Sequence, residues 1–99
     1  MALIKYANGG TTLDGHWKAG GDATTSGDGT EYVTFQQTVT QGMAALQAAY
    51  PAAVVKIEGM VWMQGESDAT SSRASKYEVN LNNFIADLRL TYGAELPFV

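Results

Sequence analysis

The stretch "AVVKIEGMVWM", residues 53–63, decides how the chain is read. It is almost continuously apolar and carries β-branched Val54, Val55 and Ile57. That is the pattern expected of a strand covered on both faces. A second apolar run, "ALIKYA" (2–7), closes on "NGG" at 8–10 and reads as a strand entering a turn. A third, "ELPFV" (95–99), opens where a helical pattern stops.

Two helical patterns separate these runs. "TFQQ" has the form of a capping box, with Thr34 as N-cap and Gln37 three residues on. Phe35, Val39, Met43 and Leu46 then form one apolar face, and Pro51 ends the helix. The second helix is expected from about residue 72 to 92, with Tyr77, Leu81, Phe84, Leu88 and Tyr92 on its apolar face and Gly93 just past its end. Strands alternating with helices imply right-handed crossovers. The fold expected is α/β, a three-layer doubly wound parallel sheet of about three strands and two helices. It reads as incomplete, because both faces of such a sheet need cover. The whole chain, 1–99, is expected to be one partial domain with a long loop over residues 8–33.

Composition narrows the function classes. The 99 residues are 45% hydrophobic and carry six Lys/Arg against ten Asp/Glu, a formal net charge of −4. Without a basic cluster, neither nucleic acid nor an anionic membrane is an expected partner. Cysteine is absent, which excludes disulfides and thiolate metal sites but leaves the compartment open. The N-terminal "MALIKYANGG" is too short and polar for a signal peptide, and no run reaches membrane-spanning length. Residues 22–33 have Asp22 first and Gly27 sixth, as a calcium loop does. Thr24, Ser26 and Val33 then stand at the third, fifth and twelfth positions, so no metal and no cofactor is expected.

The chemistry is expected after the first two strands. In open parallel sheets, ligands bind beyond the carboxyl ends of the strands. There "NGGT" (8–11) and "QGES" (64–67) would meet. Gly9 and Gly10 allow close approach of backbone N–H groups, Gln64 offers an amide donor and Glu66 a carboxylate. Donors converging on one point suit a developing oxyanion.

"IKYANGGTTLDGHW" (4–17) and "VWMQGESDA" (61–69) resemble two sequence blocks of the SGNH-hydrolase superfamily. They are most similar to its carbohydrate-esterase branch, which includes sialate O-acetylesterases and acetylxylan esterases. Leu88-Arg89 and Leu96-Pro97-Phe98 continue the resemblance, which covers nearly the whole chain. It implies a flavodoxin-like sheet and a serine esterase that removes acetyl groups from sugar hydroxyls. On this resemblance Gly9 or Gly10 and Gln64 belong to the oxyanion hole, and Glu66 orients the catalytic histidine. Thr11, Trp17, Ser67 and Asp68 are candidates for substrate binding, and acetylated carbohydrate is the expected ligand. Asp68 or a following serine could instead cap the second helix, and Trp17 and Trp62 could simply pack.

The sequence departs from the family's pattern in two blocks. The nucleophile block, of "GQSN" form, and the histidine block, of "D-x-x-H" form, are not among these residues. His16 is the single histidine, and none of Ser26, Ser67, Ser71, Ser72 and Ser75 stands in a nucleophile-elbow setting. The expectation is a fragment that carries part of an acetylesterase site and is inactive alone. The alternative is a non-catalytic module that binds carbohydrate or an anion, or that self-associates. Pairing with a second copy or with complementing segments is expected in either case.

Overall fold

The computed structural model describes residues 1–99. Three helices carry the regular structure: α1 (Thr30–Ala49), α2 (Ser71–Ala74) and α3 (Tyr77–Tyr92). A 3₁₀ turn at Glu66–Asp68 precedes α2. No helix is long and apolar enough to cross a membrane.

The sheet expected from the sequence does not form. Its only trace is an isolated parallel bridge between Met60 and Phe98. Met60 N–H donates to Pro97 O at 2.8 Å, Trp62 N–H to Val99 O at 2.8 Å, and Val99 N–H to Met60 O at 3.0 Å. Residues 2–7 form no strand and make no backbone hydrogen bond. An apolar run reports what a segment can bury, whereas a strand also needs a lateral partner for its N–H and C=O groups. Residues 2–7 lie instead against α1, where Ile4 covers Gly42 so closely that a Cβ there would meet Ile4 Cδ1 at 2.6 Å. The 53–63 run is only partly covered. Val55, Ile57, Met60 and Trp62 are half-buried, while Val54, Val61 and Met63 face solvent. Glu58 pairs with Lys56 at 3.2 Å, and both are well exposed, so the pair adds little stability.

The first helix begins four residues before the expected N-cap. Thr34 lies inside α1, and its hydroxyl donates to Thr30 O at 3.0 Å. A carbonyl of the long loop takes over the capping: Glu31 N–H donates to His16 O at 2.9 Å. Gly29 makes that possible, because a Cβ there would meet His16 O at 2.3 Å. The C-terminal end falls as expected, with α1 closing at Ala49 just before Pro51. The second expected helix is split between α2 and α3 around Ser75 and Lys76. Gly93 follows α3 as anticipated, and its N–H donates to Arg89 O at 3.0 Å.

The core is aromatic and small. Leu13 and Trp17 of the long loop, Tyr32, Phe35 and Val39 of α1, Phe84 and Leu88 of α3, and Leu96 form it. Trp62 packs on Phe84 with centroids 4.6 Å apart, and on Trp17 edge-on at 5.1 Å. Asp87 is buried among them. Its carboxylate accepts the Tyr32 hydroxyl at 2.7 Å and Gly21 N–H at 2.9 Å, fastening the loop to both long helices. Burial, reinforced by Asp87, raises the pKa of the Tyr32 hydroxyl far above the ordinary tyrosine value.

Candidate functional site

The two polar blocks meet. Gln64 Nε2 donates one proton to Thr11 O at 3.0 Å and one to Asp68 Oδ2 at 2.6 Å. The opposite amide orientation would set Oε1 against both acceptors, so the hydrogen-bond partners fix which end is which. Tyr77, on the first turn of α3, donates its hydroxyl proton to Gln64 O at 2.8 Å, with Gln64 Oε1 3.3 Å away. The indole N–H of Trp62 reaches the Tyr77 oxygen at 3.5 Å.

Asp68 is the hub of the junction. Only 1% of it is exposed. Besides Gln64 it accepts Leu13 N–H at 2.9 Å and Asp14 N–H at 3.1 Å. It caps no helix: the residue before α2 is Thr70, which makes no side-chain capping bond. Asp14 turns outward to Lys76 at 3.3 Å and Asn80 at 3.1 Å, and these two partners, Asn80 first, hold its carboxyl below the usual range.

The glycine turn is pinned on both flanks. Thr11 donates its hydroxyl to Asn8 O at 2.8 Å and accepts the Trp17 indole N–H at 3.0 Å. Asn8 Nδ2 donates to Glu31 Oε1 at 2.8 Å, and Tyr6 donates its hydroxyl to the same carboxylate. These hydrogen bonds, Tyr6 first and Asn8 second, lower the Glu31 pKa. Gly9 and Gly10 stay exposed at the tip, their N–H groups without an acceptor in the protein. Gly10 has φ +74, a conformation open to glycine and strained for other residues.

The remaining expected site residues are spread out. Glu66 is exposed at the start of the 3₁₀ turn, where its carbonyl accepts Ala69 N–H at 3.3 Å and its side chain makes no hydrogen bond or ion pair. Ser67 is half-buried, and its carbonyl accepts Arg73 Nη1 at 3.0 Å. Trp17 is buried in the aromatic core. His16 Nδ1 accepts Thr12 N–H at 2.9 Å, with the Thr12 hydroxyl 3.2 Å away, and no serine hydroxyl bonds to it. Tyr77, Glu31 and Asn8 were not singled out from the sequence as site residues. Tyr77 looked like one more apolar-face residue of the second helix, and nothing local marks a glutamate that acts 23 residues upstream.

Open backbone donors beside a carboxamide and a solvent-facing carboxylate are groups suited to acyl-ester chemistry. The chain belongs to the family described as carbohydrate esterase, sialic acid-specific acetylesterase, whose family model matches residues 1–99. No curated protein and no solved structure matches the chain.

Proposed function

We propose that residues 9–11 and 64–68 form part of the acyl-binding edge of a carbohydrate O-acetylesterase. The observation that carries this is the Gln64 Nε2 bond to Thr11 O, which draws the two blocks into one edge. It leaves Gly9 and Gly10 N–H free to receive an oxyanion. Gln64 joins them by releasing Thr11 O, the neutral and weaker of its two acceptors. Glu66, exposed and unpaired, has the charge to orient and compensate a histidine. The product of deacetylation is itself an anion with the shape of the acyl group. Titrating the chain with acetate is expected to shift the amide signals of Gly9, Gly10 and Gln64 while leaving Gly21 and Gly27 in place. Shifts confined to the lysines, or none, would overturn the assignment.

The nucleophile and its base belong, in this reading, to chain outside these 99 residues. A serine attacks only when a base takes its proton, and His16 has no serine beside it. The 99-residue chain is therefore expected to leave p-nitrophenyl acetate at the background rate. Saturable turnover that survives repurification and is lost on changing one serine would contradict this.

The apolar face of the 53–63 run favours an added role in association. Val61 and Met63 are 74% and 92% exposed beside a backbone paired on one edge only. Sedimentation is expected to show concentration-dependent association that Val61→Lys weakens. A monomer at all concentrations would rule it out.

A further inference from the structure

We propose that Asp68 is a positioning residue: its buried carboxylate sets the orientation of the Gln64 carboxamide and locks it to the 11–14 backbone. The catalytic consequence rests on the acyl-edge reading above, whereas the test below reads a hydrogen bond and stands apart from it.

Three groups converge on this side chain, and all three are donors. Oδ2 takes Gln64 Nε2 and Leu13 N–H, and Oδ1 takes Asp14 N–H. A carboxylate answers all three because it only accepts, and its charge shortens and strengthens each bond. An asparagine of the same shape would turn an NH₂ group toward at least one donor, replacing attraction by a clash of protons. The partners lie four, 55 and 54 residues away in sequence, so the contact joins two loops rather than ending a helix.

The geometry also separates positioning from substrate binding. With 1% of the residue exposed, no oxygen faces solvent to meet a sugar. What Asp68 controls is the direction of the Gln64 NH₂ group. With one proton held by Asp68, the second falls on Thr11 O, the carbonyl of the residue that follows the Gly9–Gly10 turn. The single acid thereby fixes the spacing between the backbone donors and the side-chain donor. Tyr77 fixes the Gln64 backbone from α3 by donating to its carbonyl, with the carboxamide Oε1 3.3 Å from the same hydroxyl.

The test is nuclear magnetic resonance of the isotopically labelled 99-residue chain. A scalar coupling across the hydrogen bond, from Gln64 Nε2 to Asp68 Cγ, is expected in the unmodified protein. Gln64 NH₂ protons are expected to exchange with solvent at least about tenfold more slowly than those of exposed Gln37 and Gln41. Asp68→Ala, which removes both acceptor oxygens, should raise the Gln64 rate to that of Gln41 while the Phe84 ring signals keep their dispersion. Gln64 exchanging as fast as Gln41 in the unmodified chain, or staying slow in Asp68→Ala, overturns the proposal. If Asp68→Ala does not fold, the coupling in the unmodified chain decides, and its absence overturns the proposal. A negative hydrolysis or acetate result would bear on the acyl-edge reading and leave this hydrogen bond standing.

Discussion

Phe84→Ala is expected to lower the unfolding free energy by about 3–5 kcal/mol, the range for truncating a buried phenylalanine. Phe84 is 0% exposed, and its ring packs with aromatic residues of four other segments of the chain. Tyr32 of α1 lies 5.0 Å away centroid to centroid, Trp62 4.6 Å, Trp17 6.3 Å and Phe98 6.4 Å. Neighbours drawn from four separate segments cannot close over the cavity together. A chain of this size has about 5–15 kcal/mol in total, so this one change removes a large share of it. Leu90→Ala, at a position 62% exposed on the same helix, should move stability by no more than about 0.5 kcal/mol. Urea unfolding followed by tryptophan fluorescence compares the two. A Phe84→Ala loss below about 1 kcal/mol would mean that the aromatic cluster is not what holds the helices to the loop.

The helices were legible in the sequence wherever local rules suffice. The Tyr77-to-Tyr92 apolar face and the stops at Pro51 and Gly93 all follow from periodicity and backbone chemistry within a few residues. The start of α1 was not, because the acceptor that satisfies its first turn is His16 O, on a loop folded back from 15 residues upstream. A capping box at Thr34 and Gln37 is a local preference, and the tertiary contact overrode it. The doubly wound sheet failed for a related reason. Residues 2–7 and 53–63 have strand-like composition, but composition does not supply a neighbour. The bulk of the burial went to aromatic packing around Phe84 and Trp17. Of the site, the meeting of the 9–11 and 64–68 blocks was expected, although through strand ends that do not exist. Tyr77 and Glu31 were hidden, since their contribution depends on hydrogen bonds to residues 13 and 23 positions away.

In an enzyme that contains these residues together with a serine–histidine pair, Gln64→Ala is expected to lower kcat by roughly 10²–10³, as removal of one oxyanion donor does. KM should change little, because the bond strengthens only as charge develops on the acyl oxygen. The cost has two parts. One is the missing donor itself. The other is the loosened edge, because without the carboxamide Thr11 O loses its link to the 64–68 turn and Asp68 keeps only the Leu13 and Asp14 amides. Glu66→Gln should also depress kcat, since a histidine that becomes protonated loses its compensating charge. The fall is smaller if an acid from a "D-x-x-H" segment shares the task. Asp68 separates a helix cap from a positioning acid. A cap would leave Asp68→Asn nearly neutral, because asparagine caps a helix about as well as aspartate does. The hydrogen bonds found here instead predict that Asp68→Asn follows Gln64→Ala in kcat at a nearly unchanged KM. Steady-state kinetics on an acetylated sugar, with thermal unfolding of each variant beside it, reads both quantities. If all three variants turned over almost normally, residues 64–68 would be a structural loop. If Asp68→Asn lost stability alone, Gln64 would orient itself without its carboxylate.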